Sequence, residues 1–254
     1  MPETLTTHSL KALFRFPFEG ENWQGRFLIG SALILGGYVI PIVPLIFVYG
    51  YALQVMRRAI RGDTPALPDW DDWGKFGSDG LRVMLVGMVY LLPGIVVLFG
   101  GMALYFGSAF FLPFVETAGR VHEPAVVLFP LIFLLGMVMM FLSMFVGSIL
   151  LFLGAIPLPM AAAHFVARDK VGAAFRAREW WPLLRANALG YFIAWVVSTG
   201  LITVWYGAFM MAYYTIFLCC LIPLLSAPVF FYLSLVIAAL FGQTYRESAA
   251  LRRA

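Results

Sequence analysis

The chain has 254 residues, 62% of them hydrophobic and only 12% charged, with a formal net charge of +4 and a mean hydropathy of +0.91. A soluble domain carries about 25% charged residues and needs them on the outer face of nearly every element, so a soluble globular enzyme is excluded. The charges are crowded into short stretches that leave uncharged runs at 27–56, 83–115, 124–167 and 186–245. Each run is long enough for at least one crossing of a bilayer, which takes about 20 residues.

Residues 1–21 precede the first run. Leu10, Leu13, Phe14 and Phe18 alternate with Lys11 and Arg15 there, a spacing that suits a short amphipathic helix lying in the membrane interface. The first apolar run begins too late and continues too long for a cleavable signal peptide. Within that run, residues 22–40 and 43–60 are expected to form a tight hairpin turning at Pro41-Ile42-Val43-Pro44. The rival is one long helix kinked at its prolines, which gives five crossings in all and puts the N-terminus outside.

The loop 62–80 follows, then a crossing near 83–104 and an external connection at 113–125. The returning stretch, 124–167, would reach about 65 Å as one helix at ~1.5 Å per residue, so it is expected to bend near Pro157 and Pro159 or to contain a re-entrant turn. A second loop, 168–185, leads to crossings at 187–208 and 222–243. All Lys and Arg except Arg120 fall in four groups, at 11–26, 57–82, 168–185 and 246–253. If those groups are cytoplasmic the bias is sixteen to one, which places both termini on the cytoplasmic side of the cell membrane. The expected fold is an all-α polytopic transmembrane helix bundle of about six crossings with interfacial amphipathic segments, one integral membrane domain over 1–254.

A faint internal echo runs through the chain. Pro41 and Pro44 precede GYALQVMRRAIRG, Pro157 and Pro159 precede AAAHFVARDKVGAAF, and Pro223 and Pro228 precede YLSLVIAALFGQTYRE. Each copy has prolines, an apolar helix and a basic exit. A duplicated helical hairpin of the kind that builds pseudosymmetric transporters would give this pattern, and so would ordinary helices that end in arginine on the cytoplasmic side.

The loop at 62–80 gathers Asp63, Asp69, Asp71, Asp72 and Asp79. Such a cluster could bind a divalent cation or supply a general base, but it lacks EF-hand spacing and a nearby histidine, so structural docking is the first expectation. Trp70 and Trp73, three residues apart, would share one side of a helical turn at the headgroup level, and Ser78 or Asp79 could cap the next helix. In the second loop Arg176 and Arg178, with Trp180 and Trp181, read as an interfacial helix resting on anionic lipid headgroups or a partner. His164, alone on an apolar helix, reads as a helix-contact residue and less readily as a proton relay. Cys219 and Cys220 lack the second pair a tetrahedral metal site needs. No Asp, Glu, Lys or Arg lies inside the four runs, so the usual marks of ion coupling or intramembrane hydrolysis are missing. Gln54, Asn187 and Tyr213 are the polar groups there that could line a pathway. Ala32 with Gly36, Ala103 with Gly107, and Gly190 with Ala194 have the spacing for close helix packing. No catalytic, cofactor-binding or metal residue is assigned, and the divided positive charges fit no nucleic-acid module.

The segment GYALQVMRRAIRGDTPALPDWDDWGKFGSDGL, with IPLPMAAAHFVARDKVGAAF and PVFFYLSLVIAALFG further on, resembles the prokaryotic membrane protein family catalogued as domain of unknown function 4013. Leu67 to Gly74 with Asp79-Gly80-Leu81 carries the likeness, which extends over most of residues 10–245. The resemblance implies a polytopic membrane protein of about six helices and brings no activity with it. Three functions compete: a non-enzymatic structural or accessory component of a membrane complex, in contact with the bilayer and another membrane protein; a small permease or exporter subunit for a weakly polar solute; and a membrane-surface enzyme acting through Asp69, Asp71 or Asp72.

Overall fold

A computed structural model describes residues 7–63, 66–117, 123–215 and 221–253. Every regular element among them is helical. The N-terminal segment forms α1 (Thr7–Arg15) and a 3-10 turn (Phe16–Phe18). The expected hairpin follows as α2 (Trp23–Gly36) and α3 (Val43–Arg61). Its tip bends through Ile42 at φ +80, a left-handed conformation costly for a β-branched residue, and Val39 and Ile40 lie exposed beside it. Gly62, at φ +86, ends α3 in the left-handed geometry that closes many helices.

α4 (Trp73–Thr117) and α5 (Glu123–Ala155) come next, and the chain breaks at Ile156 and Pro157 before α6 (Leu158–Arg168), close to the expected bend. Two short helices, α7 (Val171–Ala174) and α8 (Ala177–Ala186), occupy the second loop. α9 (Ala188–Tyr214) and α10 (Ile222–Leu251) complete the chain. Eight of the nineteen residues of the expected loop at 62–80 are therefore helical, and the expected external connection shortens because α4 runs to Thr117. Arg120, His122, Cys219 and Cys220 lie outside the described residues.

The protein is a multi-pass helical membrane protein. Four described stretches are long and apolar enough to cross a bilayer: Trp73–Phe110, Pro130–Arg168, Ala188–Tyr214 and Ile222–Leu251. The expected six crossings thus reduce to four, and the two that fall away are the arms of the first hairpin. α2, with 14 residues, extends only about 21 Å, against ~30 Å of hydrocarbon. α3 gives its last turns to Arg57, Arg58 and Arg61.

The chain falls into two compact units, Met1–Val86 with Pro159–Ala254, and Gly87–Leu158. In the first, α10 is the core helix: Phe231, Leu235, Val236, Ala239 and Leu240 are almost wholly enclosed. Gly30 of α2 lets the Phe231 ring lie where any Cβ would clash, and Gly242 does the same for the Met56 carbonyl of α3. In the second unit Gly94 and Gly147 bring the α4 and α5 backbones together, with Gly101 against Ser143 and Gly154 against the Tyr90 carbonyl. These are not the expected small-residue pairs; Gly107, for example, faces open space. Large apolar side chains of the described residues are exposed outside that seam, with Phe145 69% exposed.

Candidate functional site

The polar architecture of the first unit starts at the acidic loop. The Lys75 backbone N–H donates to Asp72 Oδ1 at 3.0 Å, so Asp72 caps the start of α4 and sets its register. Asp79 is consequently well inside α4 and caps nothing. It points at α3, where Gly80 fits under the Ile46 carbonyl and Gly50 under that of Phe76, so the two helices meet backbone to backbone. At this crossing Arg57 Nη1 reaches Asp79 Oδ2 at 3.0 Å, Gln54 Nε2 donates to the same oxygen at 3.2 Å, and Arg82 stands 3.7 Å from the other. Arg57 Nη2 also reaches Asp169 at 3.2 Å. The Asp79 side chain is 2% exposed and that of Arg57 10%.

The rest of the loop is tied down residue by residue. Asp69 bridges Arg26 at 2.6 Å, and Arg26 Nη1 donates to the Leu67 carbonyl at 2.9 Å. The Tyr51 hydroxyl donates to the Pro68 carbonyl at 2.7 Å. Trp70 does not face headgroups: it is buried, stacked on Tyr51 at 4.1 Å, and donates its indole N–H to the Arg26 carbonyl. Trp73, in contrast, is exposed. Asp69, Asp71 and Asp72 do not converge, since one bridges, one caps and Asp71 lies exposed at the surface. Among the described residues no group of three His, Cys, Asp or Glu side chains is placed to hold a metal ion.

A second network surrounds His164, which is 1% exposed. Its Nδ1 lies 2.8 Å from the Tyr245 hydroxyl and its Nε2 3.2 Å from Glu179 Oε2. A carboxylate can only accept, so Nε2 carries the proton and Tyr245 donates to Nδ1. Arg176 reaches the other oxygen of Glu179 at 3.1 Å. Hydrogen bonds from His164 and then Arg176 hold the Glu179 carboxyl below the usual glutamate range. The two indoles of α8 part company: Trp180 is buried with its N–H on the Ala174 carbonyl, while Trp181 is 44% exposed with the Arg185 guanidinium 5.3 Å above its ring.

The candidate pathway residues do not assemble. Gln54 serves Asp79, Asn187 accepts from the Gly190 N–H and caps α9, and Tyr213 is exposed at the opposite end of that helix. At ~1.5 Å per residue Asn187 and Tyr213 are roughly 39 Å apart along the axis. The larger open space is elsewhere. A cavity of about 810 Å³ lies where α3, α6 and α10 end, floored by His164 and Tyr245 and rimmed by Arg168, Arg178, Arg246, Arg252 and Arg253. A neighbouring cavity of about 510 Å³ is lined by Gln54, Arg57, Arg58, Arg61, Asp63 and Ala66.

Sequence reasoning missed both the Asp79 pairing and the His164 network. The signal for the first was the adjacent Asp79-Gly80, a charge beside a residue that permits close approach; for the second it was three basic helix exits with a histidine just before one of them.

A family model described as "Protein of unknown function (DUF4013)" matches residues 33–212, and the chain belongs to that family. The match stops short of PVFFYLSLVIAALFG, so the likeness read in α10 lies outside it. No curated protein and no solved structure matches the chain.

Proposed function

We propose, with membership of this family as the premise, that the protein is a non-enzymatic component of the cell membrane, a structural or accessory subunit of a membrane complex. The observation that carries this reading is that the buried ionic side chains of the first unit are engaged with one another. Asp79 holds Arg57, Gln54 and Arg82, and His164 holds Tyr245 and Glu179. A side chain locked in this way supports a particular packing of helices and has no lone pair or proton turned toward a substrate. The apolar second unit offers the complementary part, a helical hairpin whose outer faces contact lipid and a partner's transmembrane helices.

The hairpin of α2 and α3 begins and ends on the side that carries the basic groups, so it leaves the parity of the chain unchanged. Four crossings and the grouping of Lys and Arg both support placing the two termini in the cytoplasm. Reconstitution tests the reading. Purified protein in vesicles should pass no weakly polar solute, and a photo-crosslinking residue in place of Phe145 should capture the same membrane protein reproducibly in native membranes. Solute flux that disappears in Gln54→Ala or Asn187→Ala would overturn it in favour of a permease.

A further inference from the structure

We infer that the cavity at the ends of α3, α6 and α10 is a binding site for a multiply charged phosphate group. The three echoed segments contribute to it, Ile60 from α3, Arg168 and the buried floor residue His164 from α6, and Tyr245 with Arg246 from α10, and Arg252 and Arg253 follow just past the end of α10. Arg178, from the first turn of α8, faces the same space. This inference goes beyond the accessory role and stands whether or not that role is correct.

Charge pairing sets these arginines apart from most of the others; Arg58 and Arg61, which line the neighbouring cavity, are the further ones among the described residues with no carboxylate within 4.0 Å. Arg15, Arg26, Arg57, Arg82 and Arg176 each lie within 4.0 Å of a carboxylate, and Arg185 lies over an indole. Among the described residues none of the five around the cavity has a carboxylate within that distance. Topological anchoring and helix dipoles account for part of this. Three helix C-termini supply roughly half a negative charge each, and Glu179 supplies one more, already shared with Arg176 and His164. About two and a half positive charges are left facing one another across the cavity. A phosphomonoester carries about −1.5 to −2 at neutral pH, and a guanidinium fork meets two phosphate oxygens at once. A cavity of about 810 Å³ has room for a headgroup or a small phosphorylated molecule.

The His164 floor gives the site its rigidity. Both ring nitrogens are engaged, so the imidazole holds Tyr245 on α10 and Glu179 on α8 at a fixed separation, and the arginines that follow them, Arg246, and precede them, Arg178, are presented from braced turns. The phosphate can belong to a lipid or to a soluble molecule, because the chemistry recognised is the same.

The test uses the full chain in non-ionic detergent, with two probes. Inorganic pyrophosphate is titrated by calorimetry, and retention of phosphatidic acid over phosphatidylcholine is read by native mass spectrometry. At least one probe should bind, and the affinity should fall about tenfold for each arginine removed, about 1.4 kcal/mol apiece, in Arg178→Gln and in the Arg246→Gln, Arg253→Gln pair. Arg15→Gln, whose partner is Glu19, should change nothing. Binding of pyrophosphate with no preference for the lipid assigns the site to a soluble phosphate, and the reverse assigns it to a headgroup; both outcomes uphold the site. The absence of binding by either probe, or binding that Arg178→Gln and the double variant leave at the Arg15→Gln level, overturns it. If the double variant melts early, Arg178→Gln on the exposed first turn of α8 decides alone.

Discussion

Replacing Asp79 with asparagine removes one charge from a crossing where two helices already touch through glycine, and it changes almost no volume. Removing one member of a buried ion pair costs about 3–5 kcal/mol, because the remaining charge is left without compensation. Arg57 keeps a second partner, Asp169, but that carboxylate is 72% exposed, and a pair open to water is worth about 0–1 kcal/mol. Gln54 also loses a charged acceptor. The expected loss is about 2–4 kcal/mol, which at roughly 2–4 °C per kcal/mol for a chain of this size lowers the melting temperature by about 4–16 °C. The assay is thermal unfolding of the purified protein in mild detergent, followed by tryptophan fluorescence, since Trp70 lies on Tyr51 of the same helix. Combining Asp79→Asn with Arg57→Gln removes the stranded charge and should recover most of the loss. A single variant that melts within 1–2 °C of the wild type, or a double variant no more stable than the single, would refute the view that a charge is locked at this crossing.

Gly80→Ala drives a Cβ into the Ile46 carbonyl, so it should cost about 1–3 kcal/mol by overpacking despite a better helix propensity, whereas Gly100→Ala, in open space, should be neutral or gain up to about 1 kcal/mol; both are read as melting temperatures. Asp72→Ala should cost about 1 kcal/mol as a lost helix cap, while Asp71→Asn should leave the melting temperature unchanged. The Glu179 carboxyl is held below its ordinary range in the folded state, so its contribution is complete above that range and is lost as the pH falls through the lower folded value. Glu179→Gln should therefore flatten the acid limb of a melting-temperature profile and leave its slope near neutrality alone. In a background lacking Cys219 and Cys220, single cysteines at Gly20 and His122 should label from opposite sides of the membrane; labelling from the same side would remove the cytoplasmic placement of both termini.

Much of the fold could be read from the sequence because hydropathy is a local property. The break near Pro157, the crossings at 187–208 and 222–243, and the short interfacial helix all follow from runs of side chains that need no knowledge of their neighbours. The first hairpin was visible too, but its standing as two crossings was not settled by the absence of charge, because a 14-residue arm with one face packed against α10 looks as apolar as one immersed in lipid. Trp70 was misread for a related reason. An indole beside acidic residues suits an interface, and only the fold of the loop brings Tyr51 and Phe231 around it. Asp79 read as one loop carboxylate among five and a possible helix cap, because its role depended on the register between α3 and α4, where Gly50 and Gly80, 30 residues apart, let the two backbones meet.

The same limit explains why the arginines looked interchangeable in the sequence. A rule that counts positive residues on each side of a membrane assigns orientation to all of them equally and says nothing of what each guanidinium meets. In the folded first unit the arginines divide by partner. Arg26 and Arg57 are consumed by carboxylates that hold the acidic loop and the α3–α4 crossing in place, while Arg168 and Arg246 close two of the echoed helices and face a space they share with Glu179, with no carboxylate of the described residues within 4.0 Å of either. Three proline-led helices end around one cavity, to which α6 and α10 bring arginines and α3 brings Ile60, while the α3 arginines Arg57, Arg58 and Arg61 line the neighbouring cavity. A mechanism that needs only orientation would be satisfied by arginines spread around the rim of the bundle. Gathering exposed arginines over a braced histidine leaves a positive surface that the helix ends and Glu179 offset in part and that a bound anion would offset further.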